Sequence, residues 1–155
     1  MKIRSVAANN RKRRLELRVY SGAMYPFPYA KLDPPPDRGN PIVEVQVDPE
    51  LGKEAVTYIL ASGDEGSVHI DDALDYNQDP AYLCELLMHQ LTVEAIQQVK
   101  RARLSRREVA RRLKTSVPQL YRLLDPANSS KSLKQLVELL HVLGCDVKVE
   151  VKPAA

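Results

Sequence analysis

The hydrophobic period of this chain changes once, at Asp79-Pro80, and that change limits the fold more than any other feature. Before it, apolar residues sit in short runs that alternate with polar ones. After it, they recur every three or four positions. A chain of 155 residues with one such break fits an α+β architecture, a small antiparallel β meander followed by a helical domain. The expected boundaries are 1–78 and 79–155.

In the first half, Leu15, Leu17 and Val19 alternate with Glu16, Arg18 and Tyr20, and residues 2–9 alternate more loosely. A β-hairpin with Asn9-Asn10-Arg11-Lys12 between its strands follows. A third strand is expected over 23–27, with Pro26, Pro28 and Pro34 to Pro36 ending regular pairing, since proline brings no amide to a ladder. Residues 33–41 read as a stiff, polyproline-like loop. Ile42, Val43, Val45 and Val47 mark a fourth strand, 55–61 a fifth and 67–70 a sixth, with one helical turn over 71–76.

In the second half Asp79 suits a helix N-cap and Pro80 the first helical position. Residues 81–103 form either one long helix or two abutting ones broken near Thr92. Three S-x-x-E/Q capping boxes then mark helix starts: Ser105 with Glu108, Ser116 with Gln119, and Ser132 with Gln135. The last helix, over 133–143, ends at Gly144. Val147, Val149 and Val151 alternate with charged residues and predict a short closing strand. A lone strand needs company, so it either joins the N-terminal sheet or pairs with its twin across a dimer axis.

Charge is divided as sharply as hydrophobicity. Residues 1–91 carry 10 basic and 14 acidic side chains, whereas residues 92–155 carry 13 and 6. Nine cations and one carboxylate lie between Lys100 and Arg122. A local excess of this kind is the footprint of a polyanion partner. Residues 32–80 hold twelve acids and two bases, a face that DNA would repel and a basic protein would suit.

Other classes find little support. Cys84 and Cys145 lie in apolar helical contexts and read as reduced core thiols. No apolar run approaches the ~20 residues of a membrane span, and the N-terminus lacks the apolar core of a secretory signal, so a cytoplasmic protein is expected. Asp71, Asp72 and Asp75 read as caps and surface charges. His69, His89 and His141 show no metalloprotease spacing, and His141 with Cys145 supplies too few ligands for a metal. A Gly-rich phosphate loop and a nucleophile elbow are both missing. Neither an enzyme, a cofactor nor a metal is expected.

The stretch 104–125, LSRREVARRLKTSVPQLYRLLD, concentrates the charge. Val109, Ala110 and Leu113 share one helical side, Leu120, Leu123 and Leu124 another, and Arg106, Arg107, Arg111, Arg112, Lys114 and Arg122 face outward. Two short amphipathic helices with a small residue at their crossing and a basic outer face describe a DNA-reading helix-turn-helix.

On Leu104-Ser105, Ala110, Leu113, Ser116, Leu120 and Arg122-Leu123-Leu124, residues 91–144 resemble the Xre/Cro helix-turn-helix regulators and antitoxins. The resemblance covers about a third of the chain. It implies that the second motif helix enters the major groove, with Val117, Pro118, Gln119 and Tyr121 facing bases and Arg106 and Lys131 near phosphates. Lys114 stands where the family favours Gly, so it either adopts a left-handed backbone at a cost on the order of 1 kcal/mol or marks a differently shaped turn. Thr115 stands where the family places a Val or Ile. The whole chain also looks like bacterial proteins that couple a small β domain of unknown function to such a motif.

Within this motif several roles compete. Gln119 either reads an adenine edge or completes its capping box, and cannot do both. Arg122 meets guanine or phosphate. Tyr121 contacts the DNA backbone or packs against the following loop. Arg11-Lys12-Arg13-Arg14 is either a solvated turn or a second phosphate contact. The leading expectation is a sequence-specific, dimeric transcriptional repressor, because a two-fold dimer doubles the contacts of one small motif. The alternatives are an antitoxin that neutralises a basic toxin and represses its own operon, and an interaction module that no longer meets DNA. The expected dimer elements are the apolar face of the helix over 81–103 and the strand over 146–151.

Overall fold

The computed structural model describes residues 1–154 and is α+β: two antiparallel three-stranded sheets and five α-helices. The chain divides into two compact units, Met1–Leu83 and Cys84–Ala155. The division falls inside a helix, a few residues beyond the change of period.

In the first unit, β1 (Ile3–Asn9), β2 (Arg14–Val19) and β3 (Met24–Pro28) form one meander. A second is formed by β4 (Ile42–Val47), β5 (Ala55–Leu60) and β6 (Glu65–His69). The proline loop separates them, so the six expected strands make two sheets, not one. The pleat sends Leu15, Leu17 and Val19 inward, all buried, to meet Tyr58, Leu60, Ile70 and Leu74 in one core. Ile3 N–H donates to the Lys53 carbonyl (2.7 Å), fastening β1 to the turn ahead of β5.

Pro26 lies inside β3 and Pro28 is its last residue, and both are paired, opposite Glu16 and Arg14. Tyr29 N–H donates to Arg13 O and Val19 N–H to Ala23 O. Counting in twos from either pair puts both prolines at the phase where an antiparallel strand makes no bond to its neighbour. As β3 is an edge strand, no ladder bond is lost. In β4 the register slips between Ile42 and Glu44, and this bulge leaves Val43 63% exposed.

The single turn expected over 71–76 is a longer helix, α1 (Ile70–Tyr76), capped by His69. α2 (Pro80–Arg101) is one unbroken helix. Asp79 Oδ1 accepts from Tyr82 N–H (3.0 Å) and Oδ2 from the Tyr25 hydroxyl (3.0 Å). These bonds hold its carboxyl below the usual range. Thr92 is fully buried without breaking α2, because its hydroxyl donates back to Met88 O (2.7 Å).

The second unit continues with α3 (Arg106–Arg112), α4 (Val117–Leu123) and α5 (Leu133–Val142). Ala95 and Val99 of α2 pack with Val109, Ala110, Leu120, Leu123, Leu136 and Leu139. Within the single chain the strand expected over 146–151 joins neither sheet: this segment has no regular structure, and Val149 and Val151 are 85% and 89% exposed. Alternation alone cannot make a strand, since its amides and carbonyls need a partner.

Candidate nucleic-acid interface

Helix α3 starts at Ser105, whose hydroxyl accepts from Glu108 N–H (3.1 Å). The reciprocal half of the expected box is missing, because the Glu108 carboxylate turns to cations one turn along. Arg111 donates to it at 2.6 and 2.9 Å and Arg112 at 2.8 Å. The two guanidinium partners lower the Glu108 pKa to about 2. The lone carboxylate between Lys100 and Arg122 is thus engaged by Arg111 and Arg112. Arg106, Arg107, Lys114 and Arg122 form no ion pair with any described residue.

The turn is closed by two backbone bonds, Lys114 N–H to Arg111 O (3.1 Å) and Thr115 N–H to Ala110 O (3.0 Å). This is a Schellman closure with Lys114 at the left-handed position, φ 57. Of the two turn shapes open to the sequence, the left-handed one is adopted. Gly144 fills the same place after α5, φ 76, where no side chain is strained. Thr115 is half-buried.

Helix α4 is capped by Ser116, whose hydroxyl accepts from Gln119 N–H (3.3 Å). The Gln119 side chain does not return to the Ser116 amide, in contrast to Gln135, whose Oε1 accepts from Ser132 N–H and completes a full box. Gln119 is exposed and borders a hollow of about 400 Å³ together with Lys114, Thr115 and Gln135. Pro118, Tyr121 and Arg122 are also exposed, while Val117 is half-buried at the edge of the core.

Arg106 and Tyr121 come together. The Arg106 guanidinium carbon lies 5.9 Å from the Tyr121 ring centroid, and Nη1 is buried with no hydrogen-bond partner. Tyr121 is nevertheless 56% exposed. The stack links the first turn of α3 to α4, a contact that sequence spacing did not reveal.

Lys131, expected near a phosphate, reaches back to the end of α4. Its ammonium donates to Leu123 O (3.1 Å) and Asp125 O (2.6 Å), and burial lowers its pKa. Asn128 Nδ2 donates to Arg122 O (3.0 Å). Both side chains satisfy carbonyls left open at the end of α4. Lys131 lies eight residues beyond Leu123, so its reach back to that end depends on the fold of the loop and leaves no local signal in the sequence.

Among the described residues, no group of three or more His, Cys, Asp or Glu is placed to hold a metal ion. No described helix is long and apolar enough to cross a membrane. No protein-family model matches the chain, and neither does any curated protein or solved structure.

Proposed function

We propose that α3, the Lys114 turn and α4 form an Xre/Cro-type helix-turn-helix, and that the protein is a sequence-specific transcriptional repressor acting as a dimer. Helix α4 enters the major groove. Gln119 contacts a base edge, Pro118 and Val117 approach the groove wall, and Arg107, Lys114 and Arg122 neutralise phosphates. Arg106 holds Tyr121 against the DNA backbone.

The observation that carries this reading is electrostatic. The single carboxylate of the region is closed off by Arg111 and Arg112, leaving an uncompensated cationic rim around an exposed α4 face. A gel shift with random duplexes over a salt series, followed by selection, tests it. Steep loss of affinity with salt and an enriched consensus support a repressor; no binding at low salt overturns it.

A second reading, an antitoxin, is favoured by the acidic first unit, where Asp48, Glu50 and Glu65 border a cavity of about 620 Å³. A small basic protein encoded beside this gene that co-purifies with the chain would support it.

A further inference from the structure

The basic run at the β1–β2 tip lies in the first unit, beside the proline loop. A cavity of about 400 Å³ lies between that tip and the proline loop after β3, and Arg11, Arg13 and Arg38 all line it. Arg11 and Arg13 share the hairpin tip, and folding brings Arg38 of the proline loop to them. All three are exposed, and together they favour an anion in the hollow.

Arg13 is built in. Its backbone is left-handed, φ 51. Its guanidinium carbon lies 5.9 Å from the Tyr29 ring centroid, and Nη2 donates to Pro36 O (3.2 Å). Tyr29 is 3% exposed and its hydroxyl donates to Asn10 Oδ1 (2.8 Å), so the wall behind Arg13 is rigid. Asp37 is the one acid lining the cavity. Its Oδ1 accepts from Gly39 N–H (2.7 Å) and Asn40 N–H (2.8 Å), which turns the carboxylate back onto its own loop. Arg11 and Arg38 make no ion pair with any described residue. Pro36, Pro41 and Ile42 complete the lining with apolar surface.

We propose that this cavity binds a small phosphorylated organic molecule. Its phosphate is held by Arg11, Arg13 and Arg38, whose planar donors match phosphate oxygens in pairs, and its organic part rests on Pro36, Pro41 and Ile42. The volume falls in the range of small-ligand sites, roughly 300–1,000 Å³, and is more than a bare phosphate fills. This site lies within the first unit and does not rest on the DNA-reading proposal.

Isothermal titration calorimetry of the full chain with adenosine monophosphate, inorganic phosphate and adenosine is the test. Saturable binding of the monophosphate, weaker binding of phosphate and none of adenosine are expected. Arg11→Gln and Arg38→Gln should each weaken the monophosphate roughly tenfold or more, whereas Arg18→Gln, elsewhere on the same sheet, should leave it unchanged. Thermal melts confirm that the variants fold. The proposal is overturned if neither phosphate compound binds at millimolar concentration, or if binding survives Arg11→Gln with Arg38→Gln intact in strength. It is also overturned if that double variant loses affinity only for a random duplex, which would make the cavity a backbone-phosphate contact.

Discussion

Lys114 holds a left-handed backbone at the point where α3 turns into α4, and a lysine there stores strain that glycine would not. Lys114→Gly is therefore expected to stabilise the fold by up to about 1 kcal/mol in urea unfolding, a gain partly offset by the freer unfolded chain. The same change removes a rim cation and should weaken binding to every duplex alike. A fall in stability would mean that the lysine stem contributes packing that outweighs its backbone strain. Glu108 makes a second residue-level prediction. Its carboxyl has an ordinary value of 4.5 and is lowered to about 2 by Arg111 and Arg112. A lowered carboxyl pKa means stability that is complete above pH 4.5 and is lost as pH falls from there through about 2. A carboxyl-detected NMR titration should place the Glu108 midpoint near 2; a midpoint near 4.5 would show the pairs to be absent in solution.

At the scale of the element, the same four-residue signal is used in three ways. Ser132 and Gln135 cap α5 reciprocally, Ser105 and Ser116 cap without an answering side chain, and Glu108 is drawn off by arginines. Gln135→Ala should lower stability by roughly 0.5–1.5 kcal/mol, as expected for losing one hydrogen bond. Gln119→Ala should leave the melting temperature almost unchanged while shifting base preference at one position by roughly 1–3 kcal/mol. If both variants melt alike and preference stays intact, Gln119 is a cap in solution.

This contrast also shows what the sequence could convey. Helix starts were legible because a cap is local: Ser105, Ser116, Ser132 and Asp79 all stand where the pattern put them. The paired prolines of β3 and the outward Val43 were not, because each depends on the phase of a neighbouring strand. The segment Val147 to Val151, which joins neither sheet, is the same lesson in reverse, since a period of two records capacity to pair and not a partner. Within the candidate site, the exposed α4 positions were readable from periodicity. The reach of Lys131 across to the end of α4 and the Arg106–Tyr121 stack depend on tertiary distance and were not.

For the whole molecule, the uneven charge and the exposed apolar positions make separate predictions. Leu87 of α2 is 65% exposed and the final valines are nearly bare. If these form the dimer, sedimentation at micromolar concentration should give about twice the 17.4 kDa chain mass. Val149→Lys combined with Val151→Lys should then shift it toward monomer and weaken operator binding. A wild-type monomer that still binds a palindrome tightly would contradict the dimer. The central claim, that the exposed face from Val117 to Arg122 meets duplex DNA, is tested most directly by mapping amide chemical shifts as a selected duplex is added. The largest shifts are expected at 105–107 and 114–122, fading as salt rises. Shifts absent there, or confined to residues 1–83, would contradict it.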